Sequence, residues 1–145
     1  EWAWLLRREM ALGGTADLSD TIAALEKFAL QHGVAPSGAM AGAVFDAVSS
    51  DGRVMEETCL LWPQTEALKG HVARYRHTGD ASTLVRVEKG VAMLIQEHLN
   101  ETDGGWREHL DSDGINFYGS YPASTLYHLA FAVAELEQLH QAVGE

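Results

Sequence analysis

Cysteine is almost missing from this chain: Cys59 stands alone among 145 residues. No internal disulfide can form, and the fold must be held by packing. Nor does any apolar run approach the ~20 residues of a membrane span. Positive charge is scarce too. Ten Lys and Arg face twenty-one Asp and Glu, a formal net charge of −11. With no window that gathers the basic residues, an electrostatic grip on nucleic acid or on an anionic membrane is excluded. CxxC, HExxH, GxSxG and glycine-rich phosphate-loop motifs are also lacking, so zinc, serine-hydrolase and nucleotide chemistry have no local support. Together these absences point to a cytoplasmic protein that binds neither membrane nor nucleic acid.

Helical periodicity is what the sequence has in abundance. Trp2, Trp4, Leu5 and Leu6 open an apolar helical stretch that Gly13-Gly14 stops, with no capping residue ahead of it. The sequence therefore reads as the C-terminal piece of a longer protein. Leu18, Ile22, Leu25 and Phe28 share a second helical stripe, with Asp17 as its N-cap and Gly33 as its stop. Between Gly38 and Met55 the pattern shortens, and the turn Ser49-Ser50-Asp51-Gly52 predicts a small hairpin or extended insertion. Pro63 in a first turn starts a third helix running to about His77. Leu84, Val87, Val91, Leu94, Ile95 and His98 then mark one side of a fourth. Asn100 to Tyr121 reads as a long irregular stretch. Pro122 opens a fifth helix with Leu126, Leu129, Ala130, Val133 and Leu136 on one side and Tyr127, Phe131 and Ala134 on another. Five helices without βαβ alternation place the chain in the all-α class.

The chemistry must come from His, Glu, Trp and Tyr. His128 lies early in the last helix beside a loop holding Trp106, Phe117, Tyr118 and Tyr121, with Ser124 and Tyr121 at i−4 and i−7. Imidazole is the side chain best matched to moving protons near neutrality, although a lone helical His is more often structural. Trp62 and Glu66 stand at i, i+4 on one helix face, as a sugar platform beside a carboxylate would require. Spacing alone equally describes a core Trp and a Glu near a helix N-terminus. Glu1, Trp2 and Trp4 are similarly two-sided. Asp111 and Asp113 fall in an ordinary Asp-Ser-Asp-Gly turn, without the further ligands of a calcium loop. His32, His71, His77, His98, His109 and His140 receive no role.

Four blocks carry a family resemblance. Glu1-Trp2-Ala3-Trp4-Leu5-Leu6, Leu61-Trp62-Pro63-Gln64-Thr65-Glu66-Ala67, Gly105-Trp106 with Leu110-Asp111-Ser112-Asp113-Gly114, and Pro122-Ala123-Ser124-Thr125-Leu126-Tyr127-His128-Leu129 occur in this order. In content and order they resemble the N-acylglucosamine 2-epimerase superfamily, which includes mannose isomerases, cellobiose 2-epimerases and proteins named mannose-6-phosphate isomerases. The resemblance covers nearly the whole chain. It implies the C-terminal part of a single (α/α)6-barrel catalytic domain, with a sugar bound in the central cavity. It also implies that His128 is one of two histidines that remove and return the proton at C2 through an enediol(ate), with no cofactor and no metal. The other histidine belongs to a His-x-x-Glu-Trp block, three residues ahead of the position of Glu1. By the same resemblance Glu1 supports that histidine, and Trp62, Glu66 and Trp106 lie near the sugar. Where many members read Arg-Leu-Trp-Pro-Gln-Thr-Glu, this chain has Leu60, so any contact from that arginine is lost.

The expected activity of the parent protein is thus sugar 2-epimerisation or aldose–ketose isomerisation on a small-molecule sugar, with this piece alone inactive. Two rivals are a helical self-association module, in which an opened barrel pairs with its own copy as a homo-oligomer, and an (α/α)6 glycoside hydrolase using two carboxylates.

Overall fold

A computed structural model describes residues 1–99, 102 and 104–143. Asn100, where the expected irregular stretch begins, lies outside the described residues, as do Glu101 and Asp103. Five α-helices are seen among the described residues: α1 (Trp2–Ala11), α2 (Ser19–His32), α3 (Leu61–Thr78), α4 (Ala81–Met93) and α5 (Ala123–Val143). None is long and apolar enough to cross a membrane.

The helices are arranged as hairpins in an arc. α3 lies at the centre, packed against α1, α4 and α5, while α2 packs on α1. α3 and α5 run parallel. Near their beginnings Glu66 meets His128, and further along Arg76 of α3 donates to Gln138 of α5 at 2.9 Å. α1 lies in the same direction, with Glu1 beside Trp62 at one end and Ala11 beside His77 at the other. The three inner helices therefore run in one direction, and α2 and α4 return behind them.

Local chemistry explains most boundaries. Gly79 sits in the left-handed region at φ 66° and closes α3 through its N–H to Tyr75 O, a conformation that favours glycine. Asp80 caps α4 by accepting from Ser82 N at 2.9 Å. At α2 the expectation is off by one: Leu18 occupies the N-cap, and Asp17 closes an Asx turn ahead of it by accepting from Ser19 N. On the α2 stripe only Ile22 is fully buried, whereas Leu25 and Phe28 remain partly exposed.

The expected hairpin is present as β1 (Ala47–Val48) and β2 (Val54–Glu56), paired antiparallel around Gly52. The stretch expected to be irregular contains a strand, β4 (His109–Leu110), which pairs with β3 (Cys59–Leu60) immediately before α3. Leu61 N adds a bond to Glu108 O. This pairing ties the loop ahead of α5 to the start of α3. A π-helical turn at Leu94–His98 follows α4, with Leu94 and His98 buried and Ile95 pointing out.

The main core gathers Leu61, Leu68, Val72, Val87, Leu94, Ala132 and Leu139. Gly90 lets α4 approach α3 closely, since a Cβ there would meet Leu68 Cδ1 at 3.3 Å. A smaller cluster holds Met40, Ala43, Cys59 and Leu110. On α5 the sequence pattern misled. The buried stripe is Thr125, His128, Ala132, Glu135 and Leu139, while Leu126, Phe131 and Val133 are exposed. Polar residues thus occupy the buried face of α5, and Leu126, Ala130 and Val133 form an exposed apolar face on another side.

Candidate active site

Two prolines set the stage. Pro63 is in the first turn of α3 and Pro122 immediately precedes α5, positions where a missing N–H leaves no orphaned acceptor. Glu66 and His128 are then each the sixth residue of their helices. Because the helices are parallel neighbours, the two side chains meet: His128 Nδ1 lies 2.5 Å from Glu66 Oε1. His128 is 8% exposed and Glu66 3%, so the contact is nearly dry and worth more than the same pair in water. With Glu66 as a carboxylate, Nδ1–H donates and the ring's other nitrogen is left for a ligand. The Trp62 ring stands 5.5 Å from the imidazole, centroid to centroid, and Tyr127 flanks it at 4.0 Å.

A cleft of about 430 Å³ opens on the His128 side of this pair, walled by Glu1, Leu60, Trp62, Glu108, Thr125 and His128 among others. The volume is ample for a monosaccharide. Leu60, immediately ahead of α3, contributes an apolar edge to it. A neighbouring cavity of about 420 Å³ extends from Glu1, Trp62 and Glu66 between α1, α2 and α3, past Trp4 to His71. Partial desolvation first, then the negative charges of Glu1 and Glu66, raise the Tyr127 phenol above its ordinary range.

Two buried charged residues had no place in the sequence reading. Lys69 Nζ lies 2.7 Å from Glu66 Oε1, with both side chains almost fully enclosed. On its other side the ammonium lies over the Trp4 ring, 3.9 Å from its centroid. Glu108 is 2% exposed; its carboxylate accepts from Trp106 Nε1 at 2.7 Å and from Thr125 Oγ1 at 2.9 Å. Trp106 thus does not line the cleft itself. It packs against Tyr121 and the core, and reaches the site only through Glu108. The signal for Glu108 was the alternation Trp106, Glu108, Leu110, a strand period leading into β4. Lys69 gave none, because Glu and Lys at i, i+3 are an everyday surface pair.

Other candidates resolve simply. Asp111 accepts from Asp113 N and Ile115 N, the ordinary turn expected of it. His98 is enclosed, bonded through Nδ1 to Arg107 O, and burial holds it below its ordinary pKa. His109 stacks on Tyr118. Cys59 is buried, which pushes its thiol up to about 11. Among the described residues no three His, Cys, Asp or Glu side chains converge as they would around a metal ion.

An arc of helical hairpins with a buried Glu66–His128 pair near one end of the inner helices defines part of an α/α toroid. A family profile for N-acylglucosamine 2-epimerase (GlcNAc 2-epimerase) matches residues 1–132, and the chain belongs to that family. It is 32% identical over 141 residues to a mannose-6-phosphate isomerase of Rhizobium meliloti (strain 1021), an alignment covering 94% of this chain and 35% of that protein. Its fold is similar to that of a D-mannose isomerase, with a TM-score of 0.84 at 19% identity over 94% of this chain and 35% of the other. It is similar also to a cellobiose 2-epimerase from Spirochaeta thermophila DSM 6192, with a TM-score of 0.82 at 14% identity over 96% and 37%. The chain thus matches (α/α)6-barrel proteins over little more than a third of their length. Sugar epimerases and isomerases are its relatives.

Proposed function

We propose that the protein to which this chain belongs is a sugar 2-epimerase or aldose–ketose isomerase, and that His128 is one of its acid/base residues. The observation that carries this reading is the 2.5 Å contact of His128 Nδ1 with Glu66 at the wall of a sugar-sized cleft. In the proposed reaction the free imidazole nitrogen takes the proton from C2 of an open-chain aldose. Electrons move into the carbonyl, giving an enediol(ate), and the proton returns to C2 from the other face or to C1. Glu66 holds the ring and offsets the charge of the imidazolium as it forms. The N-terminal ends of α3 and α5 border the cleft, and their partial positive charge favours the developing oxyanion. Trp62 provides an apolar platform for the ring face of the sugar. Glu1 is placed to support the second histidine, which the family pattern puts three residues ahead of it.

On this reading the chain is the C-terminal part of a single (α/α)6 catalytic domain in the cytoplasm, and the 145-residue chain alone is inactive because the opposite cavity wall is not part of it. The test is direct. Full-length protein is offered D-mannose, cellobiose, an N-acylglucosamine and mannose 6-phosphate separately, and products are followed by NMR. Appearance of a 2-epimer or ketose, lost in His128→Ala, is expected. No turnover of any aldose would overturn the reading.

A second reading has one observation in its favour: the exposed apolar face Leu126, Ala130 and Val133 on α5 suits self-association into a homo-oligomer. Sedimentation of the 145-residue chain at several concentrations separates the two. A folded, strictly monomeric chain argues against self-association.

A further inference from the structure

We propose that Lys69 is a positioning residue for the proton transfer: its ammonium keeps Glu66 ionised and sets the pH at which the Glu66–His128 pair takes up a proton. The inference rests on His128 as the proton-transfer group and adds to it a residue that touches no substrate.

The argument begins with one oxygen. Glu66 Oε1 is shared by His128 Nδ1 at 2.5 Å and Lys69 Nζ at 2.7 Å, while Oε2 is buried with no hydrogen-bond partner. A carboxylate so poor in donors and so dry is unstable as an anion without a neighbouring cation. The groups that face His128 are Glu66 and Lys69 from α3, Glu1 from the start of α1, Glu108 and His109 from the segment around β4, and Tyr127 beside it on α5. Glu108 is engaged by Trp106 and Thr125. Among these described residues Lys69 alone carries a fixed positive charge.

Lys69 is itself held from behind. Its Nζ lies over the Trp4 indole and 5.7 Å from the Phe131 ring centroid. Trp4 is anchored in turn by Nε1 donating to Glu135 Oε1 at 3.1 Å, and Arg76 lies 3.5 Å from the other oxygen of Glu135. The stem of Lys69 is fully enclosed, so the ammonium cannot swing out to water without opening the α1–α3–α5 junction. Lys69 therefore acts as a fixed charge one side chain removed from the imidazole. Taking it away raises the proton affinity of the pair, whether the added proton sits on Glu66 or on His128.

The experiment uses the full-length protein. The His128 ring is titrated by NMR in wild type, Lys69→Met and Lys69→Arg, with a His128→Asn spectrum for assignment, and kcat/KM is measured against pH with the aldose that is turned over. In Lys69→Met both the titration midpoint and the acidic limb of the profile are expected to rise by about one pH unit or more, and Lys69→Arg returns them toward wild type. A midpoint in Lys69→Met equal to that of wild type would overturn the proposal. Activity surviving in His128→Asn would sink the catalytic reading alone, since the NMR midpoint still tests the coupling. If Lys69→Met does not fold, Glu66→Gln/Lys69→Met, which buries no lone charge, is compared with Glu66→Gln. Equal kcat is expected, and a further loss of more than about tenfold would overturn action through Glu66.

Discussion

Glu66 and His128 hold the same rank in two parallel helices, and that equivalence brings carboxylate and imidazole to 2.5 Å behind the cleft wall that His128 forms. Neither residue needs an unusual backbone: among the described residues, positive φ is confined to glycines. Precision comes from the rigid elements, as a site that must hold a ring within a fraction of an ångström requires.

Glu66→Gln keeps the shape of the side chain but removes its charge. In the full-length enzyme kcat is expected to fall by about 10² or more, with KM changed little, because Glu66 stabilises the imidazolium that forms during proton abstraction. Steady-state kinetics on the aldose that is turned over checks this. A larger rise in KM than fall in kcat would assign Glu66 to sugar binding instead.

The core that carries α3 predicts two stability changes. Leu68 is 1% exposed within the main cluster, so Leu68→Ala should cost about 2–5 kcal/mol. Gly79→Ala forces a Cβ into the left-handed region at φ 66° and should cost about 1 kcal/mol. Denaturant melts of the full-length variants give both values.

His71 predicts the direction of an acid effect. Burial, and after it the charge of Arg86 on α4, hold this histidine down at about 4, with Glu26 of α2 opposing and Arg74 adding a little. The unfolded chain takes up the proton near the ordinary imidazole value of 6.5, so between the two values the unfolded state binds more protons. Stability from this group is complete above the upper value and is lost as pH falls toward the lower one. His71→Gln should therefore lose less stability than wild type between about pH 7 and about pH 4.5 in urea melts. Parallel curves would show that His71 does not titrate this way.

How much of this was legible in the residues depends on what each signal encodes. The five helices were readable, since periodicity, Pro63, Pro122 and Gly79 all report local backbone preference. That Trp62 and Glu66 share one helix face was readable for the same reason. The meeting of Glu66 with His128 was not, because which helices lie side by side is a tertiary fact that no local pattern records. β3 and β4 escaped notice because each has only two residues and the alternation leading into β4 runs through Glu108, a carboxylate that hydropathy sorts to the surface. On α5 hydropathy pointed to the wrong face: Thr125, His128 and Glu135 turn inward, against the usual sorting, and Leu126 and Val133 turn out. Lys69 was invisible for a related reason. A buried ammonium is stable only through Glu66 and Trp4, partners whose approach depends on the packed helices.

Solvent exchange at C2 of the sugar tests the central claim most directly. Full-length wild type and His128→Asn are incubated in D2O with the aldose that is turned over, and loss of the C2–H signal is followed by NMR. Exchange in His128→Asn slower by about 10²-fold or more, with the fold intact by circular dichroism, is the predicted result. Exchange at the wild-type rate would contradict it and remove His128 from the chemistry.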